Sequence, residues 1–317
     1  MTTKHTTQPQ LPRLDRHTAY SDPGPYAALL AAVPTEPSAL SAVARNVIVH
    51  YRHSGHVLPE TTRGDVHARW VARTLELDQE RHGLPLDVTR GPDRRVQGCC
   101  RDHTLFCCAV LREHGIEARG RVGFAGYLGE GYHYDHVVVE VREGGRWRRF
   151  DPEVPEPGAR VASPMDLPTG PDSPFLTAAE TWLGCRSGDL DLNRFGTGPG
   201  VLPEGPWFMQ NYVLREVAHR HGDELLLWDV WGAMAAPGVP IDDAVLALTD
   251  EVAALLVAAD AEESAGEVTG AAERLAQRYA TDERLHPGNR VLRFDPFAGP
   301  EDPPVEESLC PEVLSGR

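Results

Sequence analysis

Residues 98–119, which read GCCRDHTLFCCAVLREHGIEAR, carry the pattern that decides the fold. After Gly98 the sequence has the length and apolar density of a buried helix. Gly115 then supplies a residue that ends many helices in the left-handed conformation. The pattern predicts one helix over residues 99–114, with a pair of adjacent cysteines at its N-terminal end.

The residues after this helix are typical of a short antiparallel sheet. Strands are predicted over 118–124, 136–142 and 146–150, where alternating or valine-rich runs occur. Gly144 and Gly145, between the last two runs, predict a tight hairpin turn. A cysteine-bearing helix followed by an antiparallel sheet indicates an α+β fold in which the helix packs on the sheet.

Composition excludes several classes of function. The chain has 317 residues, and 31 Lys and Arg against 47 Asp and Glu give a formal net charge of −16. Such an acidic excess repels phosphate backbones, so no nucleic-acid partner is expected. No run approaches 18 apolar residues and no signal-peptide pattern opens the chain, so we expect no membrane partner and a cytoplasmic location. The six cysteines are not spread as in a disulfide framework.

Thiol chemistry is the function that the central stretch favours. A catalytic thiol needs a lowered pKa, a base that carries its proton, and a group that orients the base. Cys100 lies at the predicted helix N-terminus, where unpaired N–H groups favour a thiolate and predict a lowered pKa. His136 begins one strand of the predicted hairpin and Asp151 follows the other, so the antiparallel pairing should bring them close together.

Three motifs in this order resemble the transglutaminase-like superfamily, which is related to the papain-like cysteine enzymes. The first is Gly98-Cys99-Cys100-Arg101-Asp102, followed after the helix by Leu111-Arg112-Glu113-His114-Gly115-Ile116-Glu117-Ala118-Arg119. The second is the strand that starts His136-Val137-Val138-Val139, and the third is Phe150-Asp151-Pro152. The resemblance implies a transglutaminase-like core of bacterial type with additional helices at both ends.

The resemblance also implies roles for single residues. The family's Gly-x-Cys-x-Asp pattern makes Cys100 the nucleophile and leaves Cys99 as the variable neighbour, with His136 as base and Asp151 as its orienting group. The backbone N–H of Cys100 would be the first oxyanion donor. Trp70 and Gln97 are candidates for the second, although a core tryptophan is the simpler interpretation of Trp70. No cofactor is implied.

The residues leave some alternatives open. A shifted register would make His133 the base, and the loop over 127–135, with Tyr132 and Tyr134, is the predicted substrate-contacting segment. A zinc site in the cysteine cluster is disfavoured, because Cys100 and Cys107 would be roughly 10.5 Å apart on one helix. The arginines of the central stretch make it basic within an acidic chain, which would suit an anionic substrate.

Domain organisation follows from the same composition. We expect a disordered tail at 1–20, the catalytic core at 21–160, a helical C-terminal extension packed on the core at 161–295, and a flexible acidic tail at 296–317. Helices are predicted over 65–82, 175–183, 207–221, 241–260 and 267–279. The sequence gives no indication of the oligomeric state.

The expected function is acyl transfer through a thioester on Cys100, with an amide, peptide or thioester as acyl donor. Hydrolysis of an amide or peptide bond is favoured, because water as acceptor needs no second binding site. An amine acceptor would instead make the protein a transglutaminase or an amide-forming acyltransferase, for example in small-molecule biosynthesis. A non-catalytic binding module that kept the fold is the alternative from another class.

Overall fold

A computed structural model describes residues 13–170, 173–201, 204–236, 238–299 and 302–310. The eight α-helices within these residues are α1 (Ala27–Ala31), α2 (Pro37–Val47), α3 (Val71–Arg81), α4 (Cys100–Glu113), α5 (Ala178–Ser187), α6 (Pro206–Arg220), α7 (Asp243–Ala265) and α8 (Ala271–Thr281). The ten strands of the same residues are β1 (Ile48–His50), β2 (Val96–Gly98), β3 (Ala118–Ala125), β4 (His133–Glu143), β5 (Arg146–Phe150), β6 (Phe175–Thr177), β7 (Phe195–Gly196), β8 (Asp229–Val230), β9 (Arg290–Arg293) and β10 (Val305–Ser308).

A five-stranded sheet forms the centre of the fold. Its strand order is β5-β4-β3-β6, and the short β7 pairs with β4 in parallel. The β4–β5 hairpin turns at Gly144 and Gly145, whose φ angles of 57° and 84° lie in the left-handed region that glycine favours. In this hairpin the last pair is Val139 with Phe150, so Asp151 follows directly after the paired residues.

Helix α4 packs on this sheet and is buried along nearly its whole length. Every residue from 100 to 112 is buried, and the Thr104 hydroxyl donates a hydrogen bond of 2.9 Å to the Val137 carbonyl of β4. At the helix start, Asp102 Oδ2 accepts from the Cys99 N–H at 2.8 Å. A Cβ at Gly98 would lie 2.8 Å from that same carboxylate oxygen, so the cap requires glycine there. The helix and the three strands after it confirm the predicted α+β fold.

The C-terminal elements share the core of the central sheet. One hydrophobic cluster runs from Tyr20 to Val291 and includes residues of α4, β3, α6 and α7. Helix α6 packs on β3, where the Tyr212 and Phe124 rings lie 5.2 Å apart. Within the described residues no helix is both long and apolar enough to cross a membrane.

Several predicted boundaries were wrong. The predicted helix over 65–82 starts at Val71, because residues 60–67 form a 3₁₀ helix and Trp70 is the extended N-cap. Residues 175–177 form strand β6 rather than the start of a helix, since they pair with β3. Strand β4 begins at His133, earlier than predicted, because β3 pairs with it as far as Tyr134.

Part of each predicted tail belongs to the folded protein. Leu14 and Tyr20 are buried, and the Leu14 carbonyl accepts a 3.0 Å hydrogen bond from the N–H of Ala118. Near the other end, β10 pairs with β9 between residues 305 and 308, and the Phe297 ring packs on Tyr51 at 5.2 Å. Residues 1–12, 300–301 and 311–317 of the predicted tails lie outside the described residues.

Candidate active site

A cavity of about 1150 Å³ opens at the N-terminal end of α4. Its wall is built by β1 and the residues after it, the start of β4, the loop after β5, α6, β8, and residues 294–296, 298–299 and 302. Residues of both the predicted catalytic core and the C-terminal elements therefore line the cavity. Cys99, Cys100, Asp135, His136 and Glu153 all line it.

Cys100 is the first residue of α4, so its N–H has no partner within the helix and is placed to bind an oxyanion. The residue is 4% exposed. The predicted lowering of its thiol pKa was wrong. A hydrogen bond with the Cys99 thiol and burial raise the pKa of Cys100 well above its ordinary value. A thiolate at this position consequently depends on a cationic partner.

His136 and Asp151 are brought together by the β4–β5 register. His136 Nε2 lies 2.8 Å from Asp151 Oδ2, and the Asp151 side chain is fully buried. The Tyr127 hydroxyl donates to the same carboxylate oxygen at 2.6 Å, and the Glu153 N–H donates to Asp151 Oδ1 at 2.8 Å. Because these three donors hold the carboxylate, Asp151 fixes the orientation of the His136 ring.

The charge around His136 favours its protonated form. Burial alone would lower the pKa of His136, but Asp151, Glu153 and Asp135 outweigh that effect and raise it to about 9. The pKa of Asp151 is lowered: its burial would raise it, and the contacts with His136 and Tyr127 more than compensate. His136 is therefore an imidazolium near neutral pH, paired with a carboxylate.

Glu153 completes a cluster with Cys100 and His136. One ligand atom from each of the three residues lies within 4.8 Å of the others. The Glu153 carboxylate also lies 3.1 Å from His103 Nδ1 and 3.9 Å from His136 Nδ1. A thiol, an imidazole and a carboxylate are a donor set that zinc accepts. Among the described residues this is the only such three-residue group, and it does not include Cys107 or Cys108.

The other predicted contact residues are placed as follows. Trp70 does not line the cavity, and the Gln97 side-chain amide is engaged elsewhere, donating to the Pro59 carbonyl at 2.9 Å and to Thr62 Oγ1 at 2.7 Å. Tyr134 lines the cavity, whereas Tyr132 does not and packs edge-on against the Tyr134 ring.

The structure also shows where the alternative base, His133, and the arginines of the central stretch lie. The His133 ring stacks on Phe195 at 4.6 Å, and His133 does not line the cavity. Four arginines of the central stretch are engaged in ion pairs: Arg119 and Arg149 bind Glu140, Arg146 binds Asp166, and Arg148 binds Glu143. Arg95 of the same stretch lines the cavity, and its guanidinium donates to the Arg90 carbonyl.

Sequence reasoning missed Glu153, Asp135 and the role of Tyr127. A signal for Glu153 did exist. Extending the hairpin register from the Val139–Phe150 pair sets position 153 opposite His136. Asp135 precedes His136 on β4, and its carboxylate accepts from the hydroxyl of Tyr212 on α6, a pairing that strand periodicity cannot reveal.

Comparison with known proteins finds a family match for the central part of the chain. Residues 55–152 match the model of the transglutaminase-like superfamily, and the matched segment contains Cys100, His136 and Asp151. This match covers less than a third of the chain and is to the superfamily that the three sequence motifs resemble. No curated protein and no solved structure matches it.

Proposed function

We propose that the protein is an acyl-transfer enzyme that works through a thioester on Cys100. The observation that carries the proposal is the cluster at the cavity wall. The Cys100 sulfur and a ring nitrogen of His136 lie within 4.8 Å, and His136 Nε2 is bonded to Asp151 at 2.8 Å. A nucleophile, a base and an orienting carboxylate in one cavity support covalent catalysis.

The chemistry starts from the Cys100–His136 pair carrying one proton. The thiolate attacks the carbonyl carbon, and the Cys100 N–H binds the oxyanion that forms. The His136 imidazolium then gives its proton to the leaving nitrogen or oxygen, and the carbon–heteroatom bond breaks to leave the thioester. An acceptor gives a proton to His136 and attacks the thioester, which returns the thiolate.

Hydrolysis of an amide or peptide bond is the favoured outcome. The cavity wall already encloses the Cys100 thiol, and water as the acceptor needs no second binding site. Cys100 is 4% exposed in a cavity of about 1150 Å³, which suits a small substrate or a chain end. An amine acceptor is the second candidate. The Asp135 carboxylate lines the same cavity beside His136 and would attract an ammonium group.

Alkylation tests the proposal directly. The purified chain is titrated with iodoacetamide between pH 6 and 10.5, and the modified residue is located by peptide mass spectrometry. Above about pH 9, where the Cys100–His136 pair has lost one proton, we expect Cys100 to react faster than Cys310, an exposed cysteine that serves as an internal control. The Cys100→Ser variant should lose the fast reaction and Cys99→Ser should keep it.

Two results would contradict the proposal. If Cys100 reacts no faster than Cys310 across this pH range, the thiol is not activated, and a non-catalytic binding module becomes the better interpretation. If Cys99→Ser removes the fast reaction and Cys100→Ser does not, the nucleophile has been assigned to the wrong cysteine.

A further inference from the structure

Arg215 of α6 lines the catalytic cavity and is almost completely buried, with 2% of its surface exposed. Among the described residues its guanidinium donates one hydrogen bond, from Nη2 to the Asp229 carbonyl at 2.8 Å. Its Nε is buried and has no acceptor. A guanidinium has five N–H donors, so most of the hydrogen-bonding capacity of this buried cation is unused.

Other buried arginines of the described chain show how this one differs. Arg69, Arg90 and Arg112 each bind a carboxylate, at 2.9, 2.5 and 2.8 Å respectively. Arg215 has no carboxylate oxygen within 4.0 Å among the described residues. Asp229, the carboxylate on the segment that it contacts, is held by Arg69 at both oxygens. Burying a cation without a counterion is unfavourable, and burial accordingly lowers the pKa of Arg215.

Two aromatic rings hold the guanidinium in place. It lies over the Tyr212 ring at 5.0 Å and near the Trp231 ring at 6.0 Å, and both aromatic side chains are buried. This packing limits the freedom of the side chain, so a ligand would bind to an arginine that is already oriented.

We propose that Arg215 binds a carboxylate group of the substrate in the catalytic cavity. The planar fork of a guanidinium matches the two oxygens of a carboxylate. A monoanion fits better than a phosphate dianion, because the Asp135 carboxylate lines the same cavity and is bonded to the hydroxyl of the tyrosine beneath Arg215. The substrate class is then an acyl compound with a free carboxylate, which rests on the acyl-transfer function proposed above.

Calorimetry with paired probes tests this site apart from catalysis. The Cys100→Ser chain, which cannot form a thioester, is titrated with acetate, phenylacetate and 4-phenylbutyrate, and with the matching neutral amides. We expect at least one carboxylate to bind about 10- to 100-fold more tightly than its amide, as for hydrogen bonds to a charged group. Equal binding of every pair, or no binding of any carboxylate, would overturn the proposal.

Variants then assign the preference to one side chain. Arg215→Met in the Cys100→Ser chain should remove the preference for carboxylate, and Arg215→Lys should retain part of it. Arg52→Met is the matched control, because Arg52 lines the same cavity but is exposed and bonded to the Pro296 carbonyl. Loss of the preference in Arg52→Met, or its survival in a folded Arg215→Met, would contradict the assignment.

The two proposals fail separately. If the acyl-transfer function is wrong, Cys100 is unreactive to iodoacetamide while the carboxylate preference of the Cys100→Ser chain remains. If the Arg215 site is wrong, carboxylates and amides bind alike while Cys100 still alkylates rapidly. Should Arg215→Met not fold, the carboxylate–amide comparison in the Cys100→Ser chain alone decides the question.

Discussion

Replacing Asp151 by Asn tests the electrostatics of the proposed triad. The substitution keeps the shape of the side chain and removes the charge that lies 2.8 Å from His136 Nε2. Asp151 is fully buried, so solvent cannot replace that charge. The His136 imidazolium should become much less stable, and with it the thiolate on Cys100.

The magnitude follows from the pKa of His136. Its rise from 6.5 to about 9 corresponds to about 3 kcal/mol of net stabilisation of the imidazolium, at roughly 1.4 kcal/mol per pKa unit. Asp151 is the largest of the charges that raise this pKa, and the burial that lowers it remains in the variant. We therefore expect the pKa of His136 in Asp151→Asn to fall below 6.5 and the thiolate population to fall by roughly two orders of magnitude.

The assay is the rate of Cys100 alkylation by iodoacetamide as a function of pH. In the wild-type chain the rate should rise with an apparent pKa of about 9, where the Cys100–His136 pair loses its first proton. In Asp151→Asn the rate at pH 9 should drop about 100-fold. Asp135→Asn is the control, because that carboxylate is not bonded to His136, and its rate should change far less. A wild-type rate and pH profile in a folded Asp151→Asn would refute this reasoning.

Three further predictions concern the same cluster. Glu153→Gln should lower the pKa of His136, but by less than Asp151→Asn does, since Glu153 lies 3.9 Å from His136 Nδ1; an unchanged midpoint of the alkylation profile would contradict this. Micromolar Zn²⁺ should slow alkylation of Cys100, and EDTA should restore the rate. Glu153→Gln should weaken the inhibition by zinc about tenfold. Equal inhibition of the wild-type and Glu153→Gln chains would exclude Glu153 as a zinc ligand. In urea unfolding measured across pH, His136 should contribute its full stabilisation below pH 6.5. That contribution should decline as the pH rises toward 9, because the pKa of His136 is higher in the folded than in the unfolded chain. In His136→Gln the free energy of unfolding should not show this part of the decline with pH.

The part of the site that is local in sequence could be predicted. Helix α4 follows from the density of apolar residues after Gly98, and the meeting of His136 with Asp151 follows from a hairpin set by two glycines. These inferences need only the period of a helix or strand and the register of one turn.

The rest depends on partners that are distant in the chain. The placement of Trp70 was missed because residues 60–67 form a 3₁₀ helix, which shifts the start of α3. Arg215 could not be distinguished from the other arginines by sequence. It lacks a carboxylate partner because Arg69, from a separate segment of the chain, binds the Asp229 carboxylate. Pattern reasoning also took the helix N-terminus as decisive for the pKa of Cys100, whereas the neighbouring Cys99 thiol and burial raise that pKa.

The most direct test of the central claim is the detection of the acyl-enzyme. The chain is incubated with small activated esters, quenched in acid and examined by intact-protein and peptide mass spectrometry. We predict a single acyl group on Cys100 that hydroxylamine removes, absent from Cys100→Ser and formed far more slowly in His136→Gln. Acylation of Cys99 in preference to Cys100, or equal acylation of the wild-type and Cys100→Ser chains, would contradict a thioester mechanism at this residue.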